Sequence, residues 1–227
     1  MAAETLWPTR CAVCDAPGAP LCASCARKLP YIDALSACPR CGAPFGRVQC
    51  TECNAVMLEP FGYQAPPYDG AVSPLLLTEE ARRIVTVYKD QNERALARPM
   101  AAIMARYLPD RWLAEAAMAF VPATPAARRR RGFDHAEHIA RELSWIVETP
   151  FAPLLAPPRR LDQRTLSRAQ RIGNMRAALT VLPGATVPRR VILVDDVCTT
   201  GATLFAATEA LRKGGAQDIY CITFARA

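Results

Sequence analysis

The segment spanning residues 191–213 constrains the fold of this chain more than any other. Four apolar residues at 191–194 predict a buried strand, and residues 203–213, which two glycines follow, predict a helix. Asp195 and Asp196 and a loop of small residues separate the two. This order of strand, polar loop and helix indicates an α/β sheet that binds ligands at the carboxyl ends of its strands.

The loop itself predicts an anion site. Small side chains allow backbone N–H groups and hydroxyls to converge on a phosphate at the helix N-terminus. The two acids beside this loop would repel a phosphate unless they bind hydroxyl groups or a metal, so a sugar phosphate is the predicted ligand. An ordinary turn with a capping threonine is the alternative. The loop residues are Thr199, Thr200, Gly201, Ala202 and Thr203.

The acids and the loop resemble the 5-phosphoribosyl-1-pyrophosphate (PRPP) motif of the type I phosphoribosyltransferases. The resemblance implies that Asp195 and Asp196 hydrogen-bond the ribose 2- and 3-hydroxyls, and that residues 199–203 wrap the 5-phosphate. It also implies that Mg²⁺ accompanies PRPP. The fold expected from it is a mainly parallel sheet with helices on both faces, over residues 61–227.

Residues 1–60 are predicted to form a separate, cysteine-rich module. Each of its four cysteine pairs has two residues between its members, the spacing that directs two thiolates to one tetrahedral zinc ion. Gaps of seven and eight residues within the halves, and twelve between them, favour two sequential structural sites of a double zinc ribbon. Disulfides are the alternative, which a reducing cytoplasm disfavours. The predicted ligands are Cys11, Cys14, Cys22, Cys25, Cys38, Cys41, Cys50 and Cys53.

Charge distinguishes the two parts of the chain. Residues 1–60 carry five basic and five acidic groups, and eight thiolates on two zinc ions add a formal charge of minus four. We therefore expect a structural module rather than a reader of nucleic acid, with docking to a protein left open. The remaining residues carry 23 basic and 16 acidic groups, so any anionic partner is expected there.

Two arginine-rich segments and a lysine stand out in this second part. A strand at 118–121 leads into four consecutive arginines at 128–131, for which a solvated loop is the simplest interpretation, and a helix is predicted over 134–147. Six more arginines lie between residues 159 and 176. Lys89 lies in a helical region at 77–107 that Thr78 is expected to cap.

Three further side chains are candidates for reactive groups. His135 and His138 are expected at the surface, with proton transfer near neutral pH as the alternative. Cys198 is expected to be a small space-filling residue, with a thiol of lowered pKa as the alternative.

Several motifs in order resemble the ComF (ComFC) family over the whole chain. They are the cysteine pairs, Val121-Pro122, Arg131-Gly132-Phe133, the pattern Gln163, Leu166, Ser167, Arg171, Asn174, and the two-acid loop. The chain departs from the family's Val-Pro-Val-Pro at Ala123 and Thr124, and from its Asn-Gln at Asp134 and His135. ComF proteins are similar to phosphoribosyltransferases in fold, and many assist DNA entry in natural competence.

The resemblance implies a competence protein that binds PRPP or a related sugar phosphate and single-stranded DNA, with DNA-uptake proteins as partners. An active phosphoribosyltransferase and a PRPP-sensing regulator are the alternatives. A cytoplasmic location is expected, because residues 1–7 lack a leader pattern and no segment has the length of a membrane span. The candidate contacts to pyrophosphate or DNA are Lys89, Arg128, Arg129, Arg130, Arg131, Arg168 and Arg171.

Overall fold

The computed structural model describes residues 8–158 and 179–227. The strands are β1 (Gly70–Val72), β2 (Leu75–Leu76), β3 (Ala116–Phe120), β4 (Arg190–Cys198) and β5 (Asp218–Arg226). Their order in the sheet is β1-β5-β4-β3, and β2 pairs with β5 beyond the end of β1. All of these strand pairs are parallel.

Helices cover both faces of the sheet. Ile192 and Val194 of β4 face one hydrophobic cluster, whereas Val191 and Leu193 face the other, as the alternation along a strand requires. The helices are α1 (Ala23–Arg27), α2 (Ala55–Leu58), α3 (Glu79–Asp90), α4 (Ala97–Ala105), α5 (Pro125–Arg131), α6 (His135–Ile146) and α7 (Ala202–Lys213). Helices α3, α4 and α6 pack on the Ile192 face, and α7 packs on the Val191 face. The α/β fold with a mainly parallel sheet is confirmed.

Strand β4 is longer than the sequence indicates. The predicted apolar stretch ends at residue 194, but pairing with β5 continues through Asp195 to Cys198. Both acids therefore lie within the regular strand. The predicted helices before residue 90 and after residue 134 are present. Thr78 lies at the N-cap position of α3, but its hydroxyl donates to Glu80 Oε2 at 2.7 Å and caps no backbone N–H.

The interpretation of the arginine run as a solvated loop is wrong. Residues 125–131 form α5, in which Pro125 is the first residue and the Thr124 hydroxyl accepts a hydrogen bond from the Ala127 N–H at 3.2 Å. Gly132 ends the helix in the left-handed conformation, with a φ of 74°. The segment at 159–176, including Arg168 and Arg171, lies outside the described residues.

The cysteine-rich segment packs on both sides of the sheet. Cys11 and Leu29, from its first half, join the cluster under α3, α4 and α6. Cys38 and Leu58, from its second half, join the cluster under α7. The two halves thus share the hydrophobic core of the sheet rather than forming a core of their own. In the described ranges, no helix has the length and hydropathy needed to cross a membrane.

Candidate functional site

The two acids of β4 lie together at the carboxyl end of the sheet. Asp195 is 8% exposed and Asp196 is 3% exposed. Asp195 Oδ1 accepts a hydrogen bond from the Asp196 N–H at 2.9 Å, and Asp196 Oδ1 accepts one from the Val197 N–H at 2.8 Å. These bonds fix both carboxyl groups close to the backbone of the strand end.

Among the described residues, the ion pairs with basic side chains are made by Asp196 rather than by Asp195. The Lys89 ammonium, from the last turn of α3, forms an ion pair with Asp196 Oδ2. The His135 ring, at the start of α6, places Nε2 3.7 Å from Asp196 Oδ1. Two helices from one face of the sheet therefore converge on Asp196.

The unequal surroundings separate the acidities of the pair. Burial raises the pKa of Asp195 well above its usual range, and the neighbouring Asp196 carboxylate adds to this effect. Burial acts in the same direction on Asp196, but the Lys89 ammonium and the His135 ring outweigh it and lower the pKa of Asp196. Asp196 is therefore the more acidic member of the pair.

His135 is buried, which contradicts the expectation of a surface position. It is 8% exposed, and its backbone carbonyl accepts a hydrogen bond from the Tyr88 hydroxyl at 2.8 Å. Burial lowers the pKa of His135 and outweighs the Asp196 carboxylate, which acts in the opposite direction. Arg131 Nη1 lies 3.4 Å from Nδ1. Because arginine only donates, Nδ1 accepts, and the ring proton lies on Nε2, facing Asp196. His138 is half-buried.

The site fits a magnesium ion that arrives with a ligand better than a resident metal. Ligand atoms of His135, Asp195 and Asp196 lie within 4.8 Å of one another. However, Lys89 already neutralises Asp196, and His135 presents a proton rather than a lone pair on its inner nitrogen. The carboxylate oxygens of Asp195 and Asp196 are the hard donors that Mg²⁺ takes, usually together with substrate phosphates.

The predicted anion loop begins at Thr199, directly after β4. Thr199, Thr200 and Thr203 are exposed. Gly201 caps α7 with a φ of 75°, and a Cβ at this position would lie 3.0 Å from the Phe205 ring. The first turn of this twelve-residue helix has N–H groups without intrahelical partners, which an anion can bind.

Cys198 lies beneath the loop and has the environment of a packing residue. It is 9% exposed, and burial raises the pKa of its thiol. A reactive thiol of lowered pKa, the alternative that the sequence left open, is contradicted.

The arginines of α5 divide into two groups. Arg131 pairs with Asp90 at 3.1 Å, and its side chain is 14% exposed. Arg128, Arg129 and Arg130 are exposed. Asp90 directly follows Lys89, so the end of α3 contacts both Asp196 and the last turn of α5. The exposed arginines are therefore held near the acid pair through Arg131.

The eight cysteines form two groups in sequential order, as expected. One contains Cys11, Cys14, Cys22 and Cys25, and the other contains Cys38, Cys41, Cys50 and Cys53. Sγ–Sγ separations of 3.8 Å in the first group, and of 3.7 and 3.6 Å in the second, match the roughly 3.8 Å edge of a tetrahedral zinc–thiolate site. Burial raises the pKa of Cys11, but backbone N–H groups outweigh it and lower that pKa to about 6. Both groups fit structural zinc.

Family models match the two parts of the chain separately. The model described as "Double zinc ribbon domain" matches residues 2–57, and "Phosphoribosyl transferase domain" matches residues 129–227. With the parallel sheet and the two four-cysteine groups, they define the class of the protein. It is a phosphoribosyltransferase-fold protein with an N-terminal double zinc ribbon.

Two curated competence proteins are similar to this chain. Competence protein F of Haemophilus influenzae is 28% identical over 219 residues, which cover 91% of this chain and 90% of that protein. Competence protein ComFC of Streptococcus pneumoniae is 26% identical over 106 residues, 47% of this chain and 46% of that protein. The chain is thus similar to competence proteins, and to one of them over 91% of its own length.

Two solved structures are similar to part of this chain. The allosteric regulatory enzyme of purine biosynthesis has a TM-score of 0.39 at 21% identity, covering 56% of this chain and 25% of that one. A purine phosphoribosyltransferase from Pyrococcus horikoshii has a TM-score of 0.35 at 16% identity, covering 58% and 83%.

Proposed function

We propose that this chain binds PRPP, or a related sugar phosphate, together with Mg²⁺ at the carboxyl end of β4. The observation that carries the proposal is the buried acid pair at the end of β4, followed two residues later by an exposed threonine loop at the N-terminus of α7. Asp195 and Asp196 bind the ribose hydroxyls, and residues 199–203 bind the 5-phosphate. Magnesium, when bound, offsets the charge of the pyrophosphate group.

Lys89 has a defined place in this proposal. Its ammonium neutralises Asp196 without a ligand, and the next residue, Asp90, pairs with Arg131 of α5. When a ligand brings magnesium and hydroxyl groups to the acids, Lys89 is free to contact the pyrophosphate. His135 keeps its Nε2–H directed at Asp196 and so orients the carboxylate.

A calorimetric titration tests this proposal. Mg²⁺-PRPP is titrated into the zinc-loaded protein and into an Asp195→Asn, Asp196→Asn double variant. We expect the wild type to bind and the double variant to lose at least about tenfold in affinity, because each amide removes a charge-assisted hydrogen bond to the ribose. A folded, zinc-loaded wild type that gives no binding heat at several temperatures would overturn the proposal.

We also propose that the exposed arginines of α5 bind single-stranded DNA. Competence is the process named for both relatives, and three adjacent exposed guanidinium groups at residues 128–130 suit a phosphate backbone. The function is then DNA uptake, at the cytoplasmic side, with proteins of the uptake machinery as partners. The reducing cytoplasm also suits the eight zinc thiolates.

The expected result of replacing Arg128, Arg129 and Arg130 with glutamine is weaker binding to single-stranded DNA at low salt. The slope of the logarithm of affinity against that of salt concentration should fall by about 2, since about 0.7 counterions are released per contacted phosphate. Fluorescence anisotropy with a labelled oligonucleotide measures both. A triple Arg→Gln variant at Arg82, Arg83 and Arg98 is the charge-matched control. Equal losses in both variants would contradict a specific DNA face.

Turnover of PRPP is the alternative at the same site. The observation that favours it is the lysine and arginine groups beside the acids, which would stabilise a pyrophosphate leaving group. Release of pyrophosphate from PRPP with nucleobases or amines would establish a transferase. Binding without release would leave a sugar-phosphate sensor.

A further inference from the structure

Arg226 connects the second zinc group to the sheet. It is the last residue of β5 and only 4% exposed. Its Nη1 donates to the backbone carbonyl of Cys41, and its Nη2 pairs with the Glu52 carboxylate. Cys41 is a zinc ligand, and the Glu52 N–H donates to Cys50 Sγ at 3.4 Å. Arg226 therefore contacts the segment that carries the second four-cysteine group, Cys38, Cys41, Cys50 and Cys53, which is called the second zinc group below.

The same arginine lies beside the base of the anion loop. In the parallel ladder Arg226 is paired with Cys198, the residue directly before Thr199. The next residue, Ala227, donates its N–H to the Cys198 carbonyl at 2.9 Å. The end of β5 thus holds the point at which the loop leaves β4.

A second contact seats the zinc group on the neighbouring strand. The Arg40 carbonyl accepts a hydrogen bond from the Ala71 N–H of β1 at 2.9 Å. Gly42 has a φ of 73°, and a Cβ at this position would lie 2.8 Å from the Ala71 carbonyl oxygen. The turn that carries Cys38 and Cys41 therefore meets the sheet with backbone against backbone, at the level of Leu193, two residues before Asp195.

The first zinc group makes different contacts. Cys11 lies in the cluster on the opposite face from α7, and Tyr31 stacks on Tyr107 at 6.0 Å between ring centroids. Tyr31 also forms a bridge to Leu75. Arg226 donates its hydrogen bonds to the segment of the second zinc group. The first group therefore serves as an internal control for the effect of Arg226.

We propose that Arg226 is a positioning residue that couples zinc at the second group to the anion loop. Zinc fixes the turn at Cys41 and the segment that carries Glu52. These two contacts hold Arg226 and the end of β5, and β5 holds the base of the loop at Cys198. This inference rests on the proposed sugar-phosphate site. Because coupling is reciprocal, bound PRPP must in turn retain zinc at the second group.

Cysteine-resolved alkylation under a zinc-selective chelator tests the coupling. The chelator leaves magnesium in solution, and peptide mass spectrometry follows each zinc-ligating cysteine separately. We expect saturating Mg²⁺-PRPP to slow alkylation of Cys38, Cys41, Cys50 and Cys53 about tenfold, within the usual range of coupling between sites. The four cysteines of the first group are expected to react at an unchanged rate.

Two variants make the test specific. In Glu52→Gln, the PRPP protection of the second group is expected to fall to about twofold or less, because its ion pair with Arg226 is lost. Asp15→Asn breaks the exposed Arg10–Asp15 pair beside the first group and is expected to keep full protection. A parallel calorimetric titration with Mg²⁺-PRPP separates the two proposals.

If PRPP does not bind, the proposed function has failed. If PRPP binds but protects neither group, protects both equally, or still protects the second group fully in Glu52→Gln, the coupling through Arg226 is overturned.

Discussion

Asparagine at position 196 is expected to destabilise the protein, whereas asparagine at position 195 is expected to leave its stability unchanged or to raise it. Asp196→Asn strands the Lys89 ammonium, whose side chain is 19% exposed, so we expect the free energy of unfolding to fall by about 3 kcal/mol. For a domain of this size the melting temperature should fall by about 6–12 °C. Asp195→Asn removes a buried carboxyl group that no lysine, arginine or histidine contacts among the described residues. Thermal unfolding of zinc-loaded protein measures both.

A second substitution identifies the cause. Lys89→Met in the Asp196→Asn background removes the stranded charge and is expected to restore most of the lost stability. Equal effects of asparagine at positions 195 and 196, or no rescue by Lys89→Met, would contradict the assignment of Asp196 as the paired carboxylate.

Loss of the second zinc group is expected to have the largest effect on stability of any single change. Cys38, Cys41 and Cys53 are buried in the same hydrophobic cluster as Leu58 and Tyr68. Without zinc, their thiols would be buried in this core with no metal ion to bind. We expect Cys41→Ser to lower the zinc content from two ions per chain to one. The free energy of unfolding should fall by at least about 5 kcal/mol. This loss is smaller than the free energy with which small peptides bind structural zinc.

Cys221 provides the matched control for this prediction. It is fully buried in the same cluster but lies outside both zinc groups. Cys221→Ala is expected to keep two zinc ions and to cost about 1 kcal/mol, as is usual for a small truncation in a core. Elemental analysis and thermal unfolding report both quantities. A Cys41→Ser protein with two zinc ions and an unchanged melting temperature would contradict a structural role.

The features that the sequence predicts well are local in the chain. The cysteine pairs place their thiolates by spacing alone, and sequential grouping follows from the short gaps within each half. The acids and the loop lie within nine residues of one another, so a strand followed by a helix already places the loop at a sheet end. The predicted sugar-phosphate roles of these residues stay a prediction.

The features that the sequence does not predict depend on contacts between distant segments. His135 lies at a helix start, where solvent is the usual neighbour, and it is buried only because α6 packs against the end of β4. Arg226 carries no local signal, since its partners Cys41 and Glu52 are more than 170 residues away. For His135, the sequence signal is that Asp134 and His135 depart from the Asn-Gln of the family pattern.

The most direct test of the sugar-phosphate site is a crystal structure of the zinc-loaded protein with PRPP and Mg²⁺. We expect difference density for a ribose whose 2- and 3-hydroxyls contact Asp195 and Asp196, with the 5-phosphate against the N–H groups of residues 199–203. We also expect that Lys89 leaves Asp196. Density for PRPP elsewhere, with the Lys89–Asp196 pair intact and the loop empty, would contradict the account.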